Sequence, residues 1–151
     1  MTITTQDYET TLTVDASPET VFAAVTHPEK WWTGELNGAA TRVDDEFTYR
    51  YPGHHYTKQR VTELVPEAKV VWTVTEADLP NYPDPTEWTG TEIVFEITPV
   101  GDQTELRFTH HGLAPALVCY DNCSSGWDFF INNSLQPLIT TGEGPATPPW
   151  A

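Results

Sequence analysis

Hydrophobic and polar positions change their period several times along this chain, and each change marks a different kind of element. From Ile3 to Asp15 threonines alternate with apolar residues, as in a strand with one wet face, and the polarity suits an edge position. Ser17-Pro18-Glu19-Thr20 then reads as a helix start, with Ser17 as N-cap and Pro18 at the first helical position. Val21, Phe22 and Val25 supply its apolar side. His27-Pro28 ends it, because the residue before a proline is pushed out of helical geometry. Pro28-Glu29-Lys30-Trp31-Trp32 predicts a second short helical turn before Gly34.

Between Thr41 and His111 the period is two. Val43, Phe47, Tyr49 and Tyr51 fall on one face of a strand, with Asp44, Glu46, Thr48 and Arg50 on the other. Pro52-Gly53 turns the chain into a strand from Tyr56 to Val65, whose facing stays open because Val61 and Val65 oppose Leu64. After the turn at Pro66-Glu67-Ala68, Lys69 to Glu76 places Val70, Trp72 and Val74 on one side. Pro80, Pro83 and Pro85 make Leu79 to Glu87 a loop. Ile93, Phe95 and Ile97 align in a strand over Thr91–Pro99. Leu106, Phe108 and His110 align in Thr104–His111, with His111 outward and Gly101-Asp102 turning between the two strands. Short strands joined by tight turns predict an antiparallel meander.

After Pro115 the apolar spacing becomes helical. Tyr120, Cys123, Trp127, Phe130, Ile131, Ser134 and Leu138 form one stripe, and Gly142 sits where a glycine C-cap belongs. Pro137 conflicts with that helix. It should free the Asn133 carbonyl and kink the last turns, at a cost of ~3 kcal/mol if uncompensated. The fold expected is α+β: an antiparallel sheet wrapped around a long C-terminal helix, with two short helices after the first strand. A single domain over residues 1–144 is followed by an extended tail at 145–151. The sheet's apolar face must be buried, and the last helix is the only long element able to cover it.

A length of 151 residues suits one core. The net charge of −15 argues against nucleic acid and against a basic membrane-binding patch, since both partners are anionic. It is consistent either with salt adaptation or with ordinary surface solubility. The longest strictly apolar run, Val21 to Val25, is far below the ~20 residues of a membrane helix, so no membrane insertion is expected. The first residues lack the basic start and apolar stretch of a signal peptide, which leads to the expectation of a cytoplasmic protein. Cys119 and Cys123 are too few for a disulfide framework or a zinc site and read as reduced thiols. No metal or cofactor is expected: no histidine pair has ligand spacing, and no phosphate-binding glycine loop or serine nucleophile elbow is present.

Several segments carry a family resemblance. They are Ser17-Pro18-Glu19-Thr20-Val21-Phe22, Pro28-Glu29-Lys30-Trp31-Trp32, Val61-Thr62-Glu63-Leu64-Val65-Pro66 with Val71-Trp72, and Leu106 through Leu113. Gly126-Trp127 and Leu138-Ile139-Thr140-Thr141-Gly142-Glu143-Gly144 complete the set. Together they span nearly the whole chain. The sequence resembles the SRPBCC superfamily (START and birch-pollen-allergen-like) and, within it, homologues of the heat-shock chaperone ATPase activator. That resemblance implies a helix-grip fold and a cavity for hydrophobic small molecules, lipids among them. Only some members of the superfamily catalyse reactions.

Residues expected to line such a cavity are Trp32, Phe47, Tyr49, Trp72, Phe95, Phe108, Trp127, Phe130 and Ile131, with His110 and Ser134 as polar exceptions. Trp31 and Trp32 are adjacent, so one is expected in the core and the other at a rim. His54 and His55 follow a turn and are expected at the surface. His110 reads first as a hydrogen-bonded wall residue and second as a polar handle for a ligand. Chemistry would require two inward polar groups near each other, with His110, Tyr49 and Glu63 as the candidates; an inward Glu63 would need Arg60 or Arg107 as partner, and an outward one would be one more surface charge. The leading expectation is a carrier or sensor of an apolar small molecule. The alternatives are a cyclase or dehydratase using the same cavity, and a chaperone ATPase-activating partner protein or self-associating protein.

Overall fold

The computed structural model describes residues 8–32, 35–51, 55–79, 85–112 and 126–142. Cys119, Cys123, Tyr120, the Pro52-Gly53 turn, His54, most of the proline loop and the 145–151 tail lie outside them. Seven strands form one antiparallel sheet: β1 Tyr8–Val14, β2 Glu35–Gly38, β3 Glu46–Tyr51, β4 His55–Val65, β5 Lys69–Asp78, β6 Glu92–Val100 and β7 Gln103–His111. Their spatial order is β1-β7-β6-β5-β4-β3-β2, so the meander runs unbroken from β2 to β7 and β1 closes its far side. The protein therefore has the expected α+β helix-grip architecture. The short strand β2 is additional; its four residues, Glu-Leu-Asn-Gly, show no sustained alternation to betray it.

Helix α1, Pro18–Val25, begins as anticipated, with the Thr20 amide donating to Ser17 Oγ at 3.2 Å. It buries Val21 and Val25 and leads into a 3₁₀ turn at Pro28–Lys30. Val43 is half exposed and lies before β3 rather than on its inner face. A tight loop causes the change: Asp45 Oδ2 accepts from the amides of Thr41 and Arg42, and Asp44 adopts φ 75°.

The undecided facing of β4 has a structural origin. Pairing with β5 slips between Val61 and Glu63, so Val61 opposes Trp72 while Glu63 opposes Val71. The extra residue of this bulge reverses which parity faces inward. Val61 is buried upstream of it, whereas Val65 downstream is exposed and Leu64 packs on the core.

The described part of the C-terminal helix, α2, covers 126–141 and contains a π turn at Ile131–Leu135. The Gln136 amide reaches back to the Ile131 carbonyl, five residues away. That turn resolves the conflict posed by Pro137: the widened ladder precedes the proline, which then stands in the first turn of the closing segment Gln136–Thr141. It also advances the apolar stripe, burying Leu135 and Ile139 and leaving Leu138 only partly covered. Gly142 caps the end in the left-handed conformation, its amide bonded to the Leu138 carbonyl at 2.9 Å.

Candidate functional site

Inward side chains of the sheet, the 3₁₀ turn and α2 meet in one aromatic layer. Trp32 stacks on Tyr49 with centroids 4.2 Å apart and lies 4.9 Å from Trp127. Trp127 meets Phe108 at 4.7 Å, and Trp72 meets both Phe95 and Phe47 at 4.9 Å. Ile131 is buried in the same core. Phe130 is buried as well, against Phe129 at 5.4 Å. Most of the expected lining is thus brought together, with rings in direct contact from sheet to helix.

Two expectations need correction. Trp31 and Trp32 are both buried, neither at a rim. The irregular backbone leaving the 3₁₀ turn (Trp31 φ −139°, ψ −24°) lets the two indoles stack at 6.2 Å, and Trp31 Nε1 donates to the Ala24 carbonyl at 3.0 Å. Ser134 is wholly buried, and its hydroxyl donates to the Trp31 carbonyl at 2.5 Å, tying the π turn to the 3₁₀ turn. His55 is not a surface residue. Its ring is partly buried against Trp88 at 4.8 Å and Tyr49 at 5.3 Å, and burial pushes its pKa down to about 3.

His110 is wholly buried and both ring nitrogens are engaged. Trp127 Nε1 donates to Nδ1 at 3.0 Å, which places the imidazole proton on Nε2. Nε2 then donates to Thr91 Oγ1 at 2.8 Å, and the Thr91 hydroxyl donates to the Trp88 carbonyl at 2.6 Å. Gly112 lets β7 close over this relay. At its φ of 101° an added Cβ would meet Thr91 Cγ2 at 2.5 Å. Burial, with smaller contributions from His55 and His111, pushes the His110 pKa down to about 3. The lone pair a general base would use is occupied by the indole, so His110 is a hydrogen-bonded core residue that links Trp127 to Thr91.

Glu63 does not join the other candidate catalytic residues. Glu63 is exposed and pairs with Lys69 at 3.6 Å, while Arg60 pairs with Asp44 at 2.6 Å and Arg107 with Glu9 at 3.8 Å. Tyr49 on β3 and His110 on β7 are linked ring by ring across the interior, Tyr49 to His55 at 5.3 Å, His55 to Trp88 at 4.8 Å and Trp88 to His110 at 4.5 Å between centroids. Burial, and secondarily the nearby Tyr51, pushes the Tyr49 phenol up, away from any role as a base at neutral pH.

Sequence reasoning missed a polar row inside the aromatic layer. His55, Thr57 and Gln59 alternate along the inner face of β4, running from a partly buried ring to two wholly buried side chains. His55 Nε2 lies 3.3 Å from Thr57 Oγ1, and Gln59 Nε2 donates to that same hydroxyl. Counting back by two from Val61 would have placed them inward, had the bulge not obscured the facing. Trp88 and Thr91 were missed because they sit between the proline loop and β6, with no periodic pattern. Among the described residues, no cluster of His, Cys, Asp or Glu could hold a metal ion, and no helix is long and apolar enough to cross a membrane.

The family model for activator of Hsp90 ATPase homolog 1-like protein matches residues 15–139. The chain belongs to this family. As an Hsp90-ATPase-activator-like domain it is similar in structure to the Aha1 dimer from Colwellia psychrerythraea, at 29% identity and TM-score 0.75, over 92% of this chain and 99% of that one. A protein from Staphylococcus saprophyticus shares the fold at 17% identity and TM-score 0.68, over 95% and 98% of the two chains. Another from Mesorhizobium loti does so at 21% and 0.67, over 87% and 96%. No curated protein matches the sequence.

Proposed function

We propose that this activator-like domain is a carrier or sensor for an apolar small molecule, bound between the sheet and α2 in a cytoplasmic protein. The observation that supports it is the polar row His55-Thr57-Gln59 set into a layer of indole, phenyl and phenol rings. A core selected only for stability would place Val or Leu there, because buried polar groups cost free energy unless paired. Aromatic walls with a few placed polar atoms are the composition of small-molecule sites. An outward Glu63 and a His110 ring engaged at both nitrogens give no support to a cyclase or dehydratase. A thermal-shift screen of flavonoids, fatty acids and polyketides tests the proposal. At least one class should raise the melting temperature, since a ligand that binds only the folded state stabilises it. No stabilisation by any class would contradict it.

A second reading, association with a chaperone or a second copy, is favoured by the 29% identity to a dimeric Aha1 protein. Sedimentation of the protein alone and with a purified Hsp90-type chaperone tests it: faster-moving species support it, and an unchanged monomer rejects it.

A further inference from the structure

Resting on the interior-site reading, one side chain stands out for what it leaves unused. Gln59 is wholly buried, its amide nitrogen is bound to Thr57, and its Oε1 has no hydrogen-bond partner. An orphaned buried polar atom destabilises the fold unless something binds it. The indole N–H groups of Trp72 and Trp88 are also buried without partners. These three atoms belong to one neighbourhood. Gln59 is in register with Phe47 on β3 and Val74 on β5, and Trp72 packs on Phe47 at 4.9 Å and stands two residues from Val74. Trp88 reaches the same row through His55, at 4.8 Å, and its carbonyl accepts from Thr91, whose backbone pairs with Val74.

No Asp, Glu, Lys or Arg is among the fully buried described residues. An anionic ligand group in this layer would meet no buried Lys or Arg and would be rejected by desolvation, and the buried Glu87 Oε1, next in sequence to Trp88, adds to that rejection. The open atoms offer one acceptor and two donors, complementary to a hydroxyl that donates to the amide oxygen and accepts from an indole. We propose that Gln59, fixed by Thr57, is the polar recognition point of the interior site, and that its ligand is an uncharged, largely apolar molecule carrying a hydroxyl. A site with a buried group waiting for such a hydroxyl discriminates strongly against the analogue that lacks it.

The test compares 2-naphthol, naphthalene and 2-naphthoate, which share one ring system and differ only in the polar group. Binding is followed by quenching of tryptophan fluorescence in wild type, Gln59→Leu and Gln59→Met. Two variants guard against one misfolding, and near-ultraviolet circular dichroism checks that each keeps its aromatic packing. Wild type should bind 2-naphthol at least about tenfold more tightly than naphthalene, a difference of about 1.4 kcal/mol, and 2-naphthoate more weakly than either. A folded Gln59 variant should lose the preference by weakening 2-naphthol alone. Equal binding of naphthol and naphthalene by wild type, an unchanged preference in the variants, or tighter binding of the naphthoate overturns this inference while leaving the interior site standing. Failure of both neutral probes to bind would overturn the interior site along with it.

Discussion

Trp127 Nε1 donates to His110 Nδ1 across 3.0 Å, joining the C-terminal helix to the last strand through a bond buried on both sides. The bond fixes the imidazole tautomer and, through Thr91, orders the segment that carries Trp88. Trp127→Phe keeps a ring in place but orphans Nδ1, which should cost about 1–3 kcal/mol. Trp127→Ala also leaves a cavity and should cost about 3–5 kcal/mol. Chemical denaturation measures both. A loss below about 1 kcal/mol for the alanine variant would show Trp127 to be peripheral.

Acid should destabilise the protein earlier than its carboxylates alone would dictate. His110 and His55 are held neutral, with folded pKa values of about 3 against an ordinary 6.5, so the unfolded chain binds more protons below about pH 6.5. Their stabilisation is complete above the unfolded pKa and is lost as pH falls from there towards 3. In that window each contributes a slope of about 1.4 kcal/mol per pH unit, before most carboxylates titrate. Denaturation at pH 7, 6 and 5 should show the decline, and His110→Ala should lower its slope. A flat profile from pH 7 to 5 would mean that neither imidazole is held neutral.

Salt should stabilise. The chain carries a net charge of −15, and four of its seven Lys and Arg residues, Lys58, Arg60, Lys69 and Arg107, already sit in ion pairs. The remaining acidic surface repels itself at low ionic strength, where the screening length is ~30 Å at 0.01 M, against ~3 Å at 1 M. The melting temperature should therefore rise from low to high sodium chloride. A fall would show that the ion pairs outweigh the repulsion.

Pro137→Ala should change stability by less than about 1 kcal/mol, because the preceding π turn already accommodates the missing amide. A gain approaching ~3 kcal/mol, the usual cost of proline inside a helix, would show that the turn does not relieve it.

The fold was largely legible because the two-residue alternation holds over Lys69–Val74 of β5 and through the inward positions of β6 and β7, and the N-cap signal at Ser17-Pro18 is local. The site was less so. One bulge near Thr62 was enough to hide the facing of His55, Thr57 and Gln59, since a one-residue slip inverts every side chain. Trp32 could not be placed because an irregular turn follows no period. The burial of Leu135 and Ile139 was missed because a π turn shifts helical phase without any mark in the apolar spacing.

A ligand in the aromatic interior would lie against the buried indoles. The most direct measurement is the nuclear magnetic resonance spectrum of the tryptophan indole N–H groups, titrated with 2-naphthol. The buried N–H signals of Trp72 and Trp88 should move and saturate at one molecule per chain. A spectrum in which those two signals stay fixed while naphthol is in excess would contradict binding there.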